Sequence, residues 1–363
     1  MEAAKMKKIC SAVITLTTLA GALCGCFPTG TLEKWGGEYE KVLEKAADIK
    51  NLSLNLDIPE ETPKAIPTLY TGLKEWEPSV LHEAFLDEEI TKHFEYNGNY
   101  FPKEKRYVDL TSSNMICYEH GCVFDSVFFD DIKDKAVPRK FACSYTFERN
   151  LNFTDYDKEL SLFSKKEALA RADKLLEQLG ITNVGAPIVY PITKEYAAKI
   201  AQCSVEETEW SDEDEVYYII YPIRYGDIDL LQYDINILGA EYYNETRSYV
   251  SVTMTFDKLI EFDCKFYSDN YSFSDNSEEI ISASKAAEIL VDYFAAIENL
   301  EKTEFTSVKL VYAPAGLNNV GFVYEPAWLF EGVKTFNING ELFPQKTCEL
   351  IFAKTGVRAA NYG

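Results

Sequence analysis

Basic charge is scarce in this chain, and histidine scarcer still. Against 59 acidic residues stand 36 lysines and arginines, a net charge of −23, and only three histidines occur in 363 residues. A body this acidic repels nucleic-acid phosphates and anionic head groups, which excludes nucleic-acid binding and favours cations, basic peptides or neutral ligands. No glycine-rich phosphate loop, no His-Glu helix motif and no catalytic cysteine signature is present, so the common marks of nucleotide, zinc-protease and thiol chemistry are missing. The histidines offer little for general acid-base work. His82 and His93 stand eleven residues apart on one expected helix, about 16 Å at 1.5 Å per residue, too far to share a metal. Cys117-Tyr118-Glu119-His120-Gly121-Cys122 holds three soft ligands without a fourth, and a hairpin turn at His120-Gly121 explains the same residues. No metal and no cofactor is expected.

Long apolar runs are also lacking, with one exception. Ile9 to Leu23 is apolar, follows Lys5, Lys7 and Lys8, and ends in Leu23-Cys24-Gly25-Cys26. It falls short of the roughly 20 residues that cross a bilayer, and Pro28, Thr29 and Gly30 give no basic stop-transfer flank. A basic n-region, an apolar h-region and small residues before a cysteine are the parts of an export signal. Leu23-Cys24-Gly25-Cys26 resembles the lipobox of bacterial lipoprotein precursors. That resemblance implies cleavage between Gly25 and Cys26, lipid (palmitate) attachment at Cys26, and a mature body anchored on the extracytoplasmic face of the cell membrane. Removing residues 1–25 takes away three lysines and one glutamate and leaves a net charge of −25.

Outside the membrane, six further cysteines (Cys117, Cys122, Cys143, Cys203, Cys264 and Cys348) permit three disulfides in fifteen pairings. Cys117 with Cys122 or Cys143 is closest in sequence; buried free thiols are the alternative.

The remaining length exceeds what one hydrophobic core usually fills, so two or three domains are expected. Leu32 to Asp48 has helical spacing, and Asn51 to Ile58 alternates as a strand before Pro59, Pro63 and Pro67 break the pattern. Pro78 to Phe94 reads as a helix with proline in its first turn. Residues 107–110, 115–118, 123–129 and 141–147 read as strands. Ser164 and Glu167 have capping-box spacing, and Ala168, Ala172, Leu175, Leu176 and Leu179 form a stripe ending at Gly180. Strands follow at 216–225, 230–238, 249–256 and 259–267. The acidic run from Glu206 to Glu215 reads as a solvated loop; calcium is the alternative, but its spacing matches no EF-hand loop.

The same order then recurs. A helix opening at Ser282 or Ser284 carries Ala286, Ala287, Ile289, Leu290, Tyr293, Phe294 and Ile297, and strands follow at 307–312, 321–330, 333–338 and 347–353. This reads as a tandem duplication of an α+β unit, one helix laid on an antiparallel sheet. The division is 1–25 signal peptide, 26–160 N-terminal α+β region with anchor helix, 161–275 first repeat, and 276–363 second repeat.

The helix openings, the strand Val323 to Phe330 with Pro326-Ala327-Trp328, and the closing Leu350 to Val357 with Thr355-Gly356 resemble PepSY-like modules and membrane-anchored regulators of the YycH and YycI type. The whole chain is similar to uncharacterised lipoproteins of clostridia-like Gram-positive bacteria. The resemblance implies a cystatin-like fold and a role in inhibiting proteases or tuning a membrane partner, without catalytic residues.

Two other constellations compete. Ser282 and Lys285, Ser268-Asp269-Asn270 (repeated as Ser274-Asp275-Asn276) and Lys354-Thr355-Gly356 match the motif set of penicillin-binding enzymes, with Ser282 as nucleophile. Their order argues against it, because both Ser-Asp-Asn copies precede the serine-lysine pair instead of following it. Tyr324, Trp328 and Phe330 share one strand face: open, that face would bind sugar or peptide; covered by the preceding helix, it is core. The expectation is therefore a non-enzymatic cell-surface lipoprotein that binds or regulates a protein, peptide or envelope component. A solute- or glycan-binding lipoprotein is the first alternative, and a serine acyl-transferase or hydrolase the second.

Overall fold

The computed structural model describes residues 32–34, 37–57, 61–72, 74–86, 89–97, 105–112, 114–118, 122–125, 136–148, 153–201, 209–233, 248–317 and 321–359. The signal segment, Gly25, Cys26, His120, Cys203 and residues 206–208 lie outside them.

The chain enters as β1 (Leu32–Lys34) and α1 (Gly37–Ala47), then β2 (Leu52–Asp57), β3 (Glu61–Pro63), β4 (Ala65–Ile66) and β5 (Leu69–Gly72). Helix α2 (Pro78–Phe85) leads into a meander of β6 (Lys92–Asn97), β7 (Lys105–Leu110), β8 (Met115–Tyr118) and β9 (Cys122–Asp125). Next come α3 (Ala136–Glu148), α4 (Lys165–Gln178), β10 (Ile188–Ile192), α5 (Lys194–Ala201), β11 (Val216–Pro222), β12 (Arg224–Tyr225) and β13 (Ile228–Leu230). The last part holds β14 (Tyr249–Met254), β15 (Leu259–Cys264), β16 (Tyr271–Phe273), β17 (Glu278–Glu279), α6 (Ala283–Ala295), β18 (Lys302–Leu317), β19 (Gly321–Ile338) and β20 (Glu341–Phe352). Among the described residues, no helix is long and apolar enough to cross a membrane.

Two large sheets organise this α+β fold. The first is antiparallel throughout, in the order β10-β11-β14-β15-β9-β8-β7-β6. The second runs β12-β13-β18-β19-β5-β16, with β2 beside β18 and β20 beside β19. Strands from the N-terminal segment are therefore shared out: β2 and β5 complete the second sheet, while β6 to β9 extend the first through the β9–β15 pair. Neither 160 nor 275 falls between one sheet and another.

Each large helix covers a sheet for a reason visible in its residues. Ser164 caps α4, accepting the Glu167 N–H at 3.2 Å while the Glu167 carboxylate accepts the Ser164 N–H at 2.8 Å. Its buried Ala168, Ala172 and Leu176 pack with Tyr217, Ile219 and Tyr221 of β11. On the opposite face of that sheet, Ala142, Cys143 and Phe147 of α3 and Ala197 of α5 meet Tyr190, Tyr218 and Tyr249. Covered on both sides, β11 is buried at all seven positions. Residues 141–147, expected as a strand, are helical. Their buried positions Ala142, Cys143, Thr146 and Phe147 fall on one helical face, and the Thr146 hydroxyl donates to the Ala142 carbonyl at 2.6 Å.

In the second sheet, Ser282 caps α6 by accepting the Lys285 N–H at 3.1 Å. The small side chains of Ala283, Ala286 and Ala287 let the helix settle on Trp328, Phe330 and Ile351, beside Val42 and Ala46 of α1. The Trp328 indole N–H donates to the Ile281 carbonyl at 2.9 Å, which satisfies its polar atom at full burial. Strands β18 and β19 pair over nearly their whole length. At Gly332 a Cβ would stand 2.0 Å from the Glu304 carbonyl oxygen, so the crossing beside the Phe305–Ser307 irregularity admits only glycine.

Deleting residues 276–363 removes β18 and β19, the partners of β2, β5 and β13. The remainder is expected to melt without a cooperative transition by calorimetry; a sharp two-state melt would show that the first sheet folds alone.

Candidate functional site

Tyr324, Trp328 and Phe330 are 1 %, 0 % and 0 % exposed. Trp328 and Phe330 lie under α6, and Tyr324 packs beside Phe322 with ring centroids 6.2 Å apart. These three form core, not an open ligand face. They are covered because the sheet face opposite an apolar helix stripe must itself be apolar.

The serine and lysine motifs have local partners. Ser282 is the helix cap, and the Lys285 ammonium turns to Glu288 at 2.6 Å. Ser268 closes a short turn with Asn270, accepting its N–H at 3.1 Å. The Lys354 ammonium donates to Thr68 Oγ1 at 2.5 Å and pairs with Glu278. In the acidic run, Asp212 takes the Lys194 ammonium at 2.5 Å, and Glu215 accepts the Ser161 N–H at 2.8 Å. No group of three or more acidic, histidine or cysteine residues able to hold a metal ion occurs among the described residues.

The histidines are where the sequence reading fails and a constellation emerges. Helix α2 stops at Phe85, so His93 stands on the edge strand β6 instead of sharing a helix with His82. Both converge on Asp109 of β7, the register partner of His93. His93 Nδ1 lies 2.5 Å from Asp109 Oδ1, His82 Nε2 lies 2.9 Å from Oδ2, and the Tyr118 hydroxyl donates to Oδ2 at 3.1 Å. A carboxylate only accepts, so each imidazole presents an N–H to it. Asp109 is 1 % exposed: burial pushes its pKa up, but the bonds from His93, His82 and Tyr118 outweigh that and hold it below the ordinary value. Burial, followed by the charge of Asp109, pushes the Tyr118 hydroxyl well up, so it remains a donor. The two imidazoles occupy different carboxylate oxygens, which suits a clamp: α2, β6 and β8 are all fastened to β7.

A second feature lies at one end of the second sheet. Asn339 and Gly340, with φ of 55° and 91°, form a two-residue turn of the mirror-image kind that strand twist favours. The turn joins β19 to β20 beyond Thr335, where the β18 pairing ends at Lys302. The tip therefore projects as a two-stranded ribbon carrying Ile338, Leu342 and Phe343, which are 54 %, 68 % and 45 % exposed. The Lys334 ammonium lies 5.0 Å from the Phe336 ring centroid. Register parity puts Phe336, Ile338 and Phe343 on the face that α6 covers further along. At the base of this end, where Asn51 accepts the Thr303 N–H through its carbonyl at 2.8 Å, a cleft of about 570 Å³ opens between the turn after α1 and the end of α6 with the turn that follows it. Ile49, Ile297 and Leu300 give it apolar walls, and Asp48, Glu298 and Glu301 make it acidic beside Lys50. An apolar projection beside an acidic, half-apolar cleft suits a protein surface better than a small polar solute.

No protein-family model matches the chain, and no curated protein does. Among solved structures, it is similar to an uncharacterized protein from Eubacterium rectale, with TM-score 0.61 and 16 % identity over 89 % of this chain and 99 % of that one. That likeness shows a shared fold. It also aligns with YycH from Bacillus subtilis at TM-score 0.34 and 11 % identity, over 80 % of this chain and 55 % of YycH.

The lowered pKa of Asp109 fixes the sign of a pH effect. Its bonds contribute fully above the ordinary aspartate value of 3.8 and are lost as pH falls through the still lower folded value. Asp109→Asn is expected to cost about 1–3 kcal/mol at pH 7 in urea unfolding. The gap to wild type should narrow below about pH 4, and a gap constant down to pH 2 would contradict the clamp.

Proposed function

We propose that this chain is an extracytoplasmic lipoprotein, tethered through Cys26, that binds a protein or peptide partner at the projecting end of its second sheet. The observation that carries the reading is the exposed apolar ribbon tip at Ile338, Leu342 and Phe343, set beside an acidic cleft. Three exposed apolar side chains gathered at one projecting turn form the kind of patch that marks an interaction site. The acidic body and cleft favour a partner with basic residues around an apolar socket.

The topology suits this role. Strand β2 starts near the ribbon base and runs away from it beside β18, and β1 pairs with β3 beyond its end. A tether entering through β1 thus leaves the tip free to face away from the anchored end. The resemblance to PepSY-like modules and YycH-type regulators agrees with a non-enzymatic role in tuning a partner. A glycan-binding reading loses its main support with the burial of Tyr324, Trp328 and Phe330.

The test is cross-linking of tagged full-length protein on intact cells, beside Cys26→Ala and the triple variant Ile338→Ser, Leu342→Ser and Phe343→Ser. The triple variant should keep the wild-type melting temperature, since all three side chains are largely exposed. It should lose a specific cross-linked partner by at least about tenfold, the effect of roughly 1.4 kcal/mol of lost contact in affinity terms. Cys26→Ala should lose the same partner. Undiminished cross-linking by the triple variant would overturn the assignment of the tip.

A further inference from the structure

We infer that Cys122 and Cys264 form a site for a disulfide that closes across the junction of β9 with β15. The two residues are register partners in that antiparallel pair, and both are fully buried in the same core. Directly opposed residues hold their Cβ atoms about 4.5–5.5 Å apart, against about 3.5–4.5 Å in a disulfide. Closure therefore needs a shift of about 1 Å and no change of register.

The other described cysteines are turned elsewhere. Cys117, the nearer candidate in sequence, opposes Val123, so strand alternation points it to the opposite face from Cys122. Its sulfur accepts the Arg106 Nε–H at 2.9 Å. Cys143 belongs to the core beneath α3 and α5, and Cys348 packs on the far face of the second sheet. Beside the Cys122–Cys264 pair sit Phe124 and Phe262, the next partners on the same face, with Phe85 stacked on Phe124 at a centroid distance of 4.9 Å and tilted against Phe262 at 5.2 Å. All three rings are buried. Burial, with each thiol close to other acidic groups, pushes both thiols well above their usual pKa, so the reduced pair is inert in the folded protein.

Closure then belongs to folding, while the strands are still accessible. One cysteine thiolate attacks a small-molecule disulfide and releases one thiol; the second cysteine displaces the other thiol from the mixed disulfide. The balance is two cysteine thiols and one disulfide oxidant going to one protein disulfide and two small thiols. The bond would join segments 142 residues apart in sequence, at the seam where the β6–β9 meander meets the rest of the first sheet. A cross-link over so long a loop restricts the unfolded chain strongly.

The inference is independent of the partner-binding reading and is tested without a partner. Full-length protein is refolded in excess glutathione disulfide, alkylated, digested without reduction and mapped by mass spectrometry. The expected product is a peptide linking Cys122 to Cys264. The oxidised protein should melt about 5 °C or more above the reduced form, and that gap should vanish to the same extent in Cys122→Ala, Cys264→Ala and the double variant. Recovery of both cysteines as alkylated thiols would overturn the inference, as would linkage of Cys122 to Cys117 or Cys143. The peptide map on wild-type protein decides the matter even if a variant fails to fold.

Discussion

Strand β19 carries hydrogen-bonded partners on both edges: β18 along one, and β5 followed by β20 along the other. At 18 residues it would span about 60 Å if straight, and its neighbour β18 pairs in turn with β2 and β13, so the two long strands together gather strands from distant parts of the chain. Its two faces serve two cores: Trp328 and Phe330 lie beneath α6, while Ala327 and Leu329 pack with Val311 and Leu350 on the far side. Burying each large side chain is worth about 1.5–3 kcal/mol, so a strand with both faces covered concentrates stability along one line. The capture of β2 falls to β18 and that of β5 to β19, while the projection of the ribbon tip follows from the persistence of the β19–β20 pairing past the end of β18.

The first sheet joins this spine through a shared core instead of a linker. Tyr312, Phe322 and Tyr324 of the long strands belong to the same apolar cluster as Ile219, Phe262 and Leu176, and Phe266 meets Phe322 edge to face at 5.2 Å. The Tyr312 hydroxyl donates to the Pro67 carbonyl at 3.1 Å across 245 residues of chain. Along the far edge of the first sheet, Asp109 does locally what β19 does globally, fastening an edge strand and a helix to an interior strand. The result is a rigid platform at one end of which a small apolar element stands clear.

Local chemistry was legible in the residues; long-range pairing was not. Ser164 with Glu167 and Ser282 announced the two capped helices, because a cap is made within four residues of itself. The alternation of Val216 to Tyr225 and Tyr249 to Phe256 announced strands, since a period of two is written in adjacent residues. Two apolar runs misled. Residues 141–147 hold enough aromatics to read as a strand but bury a helical stripe, and the pattern from Pro78 predicts a helix as far as Phe94 although tertiary pairing with β7 claims His93. Nothing local shows that β2 and β5 pair with strands some 250 residues later, which is why the N-terminal segment read as a domain of its own. Asp109 gathers residues 27, 16 and 9 positions away from three separate elements, and no spacing rule brings them together. Asn339-Gly340 was a local signal for a tight hairpin, and with it the exposure of Leu342 and Phe343 becomes readable.

The central claim is that the chain is one cooperative unit strung on β19, and native-state hydrogen exchange tests it most directly. Amides of β2 and β5 should open at the same free energy as those of β18 and β19, converging on the global unfolding value as denaturant rises. If residues 52–72 instead exchange through a separate, lower-energy opening while β18 and β19 stay protected, the N-terminal segment is an independent layer and the account of the spine is wrong.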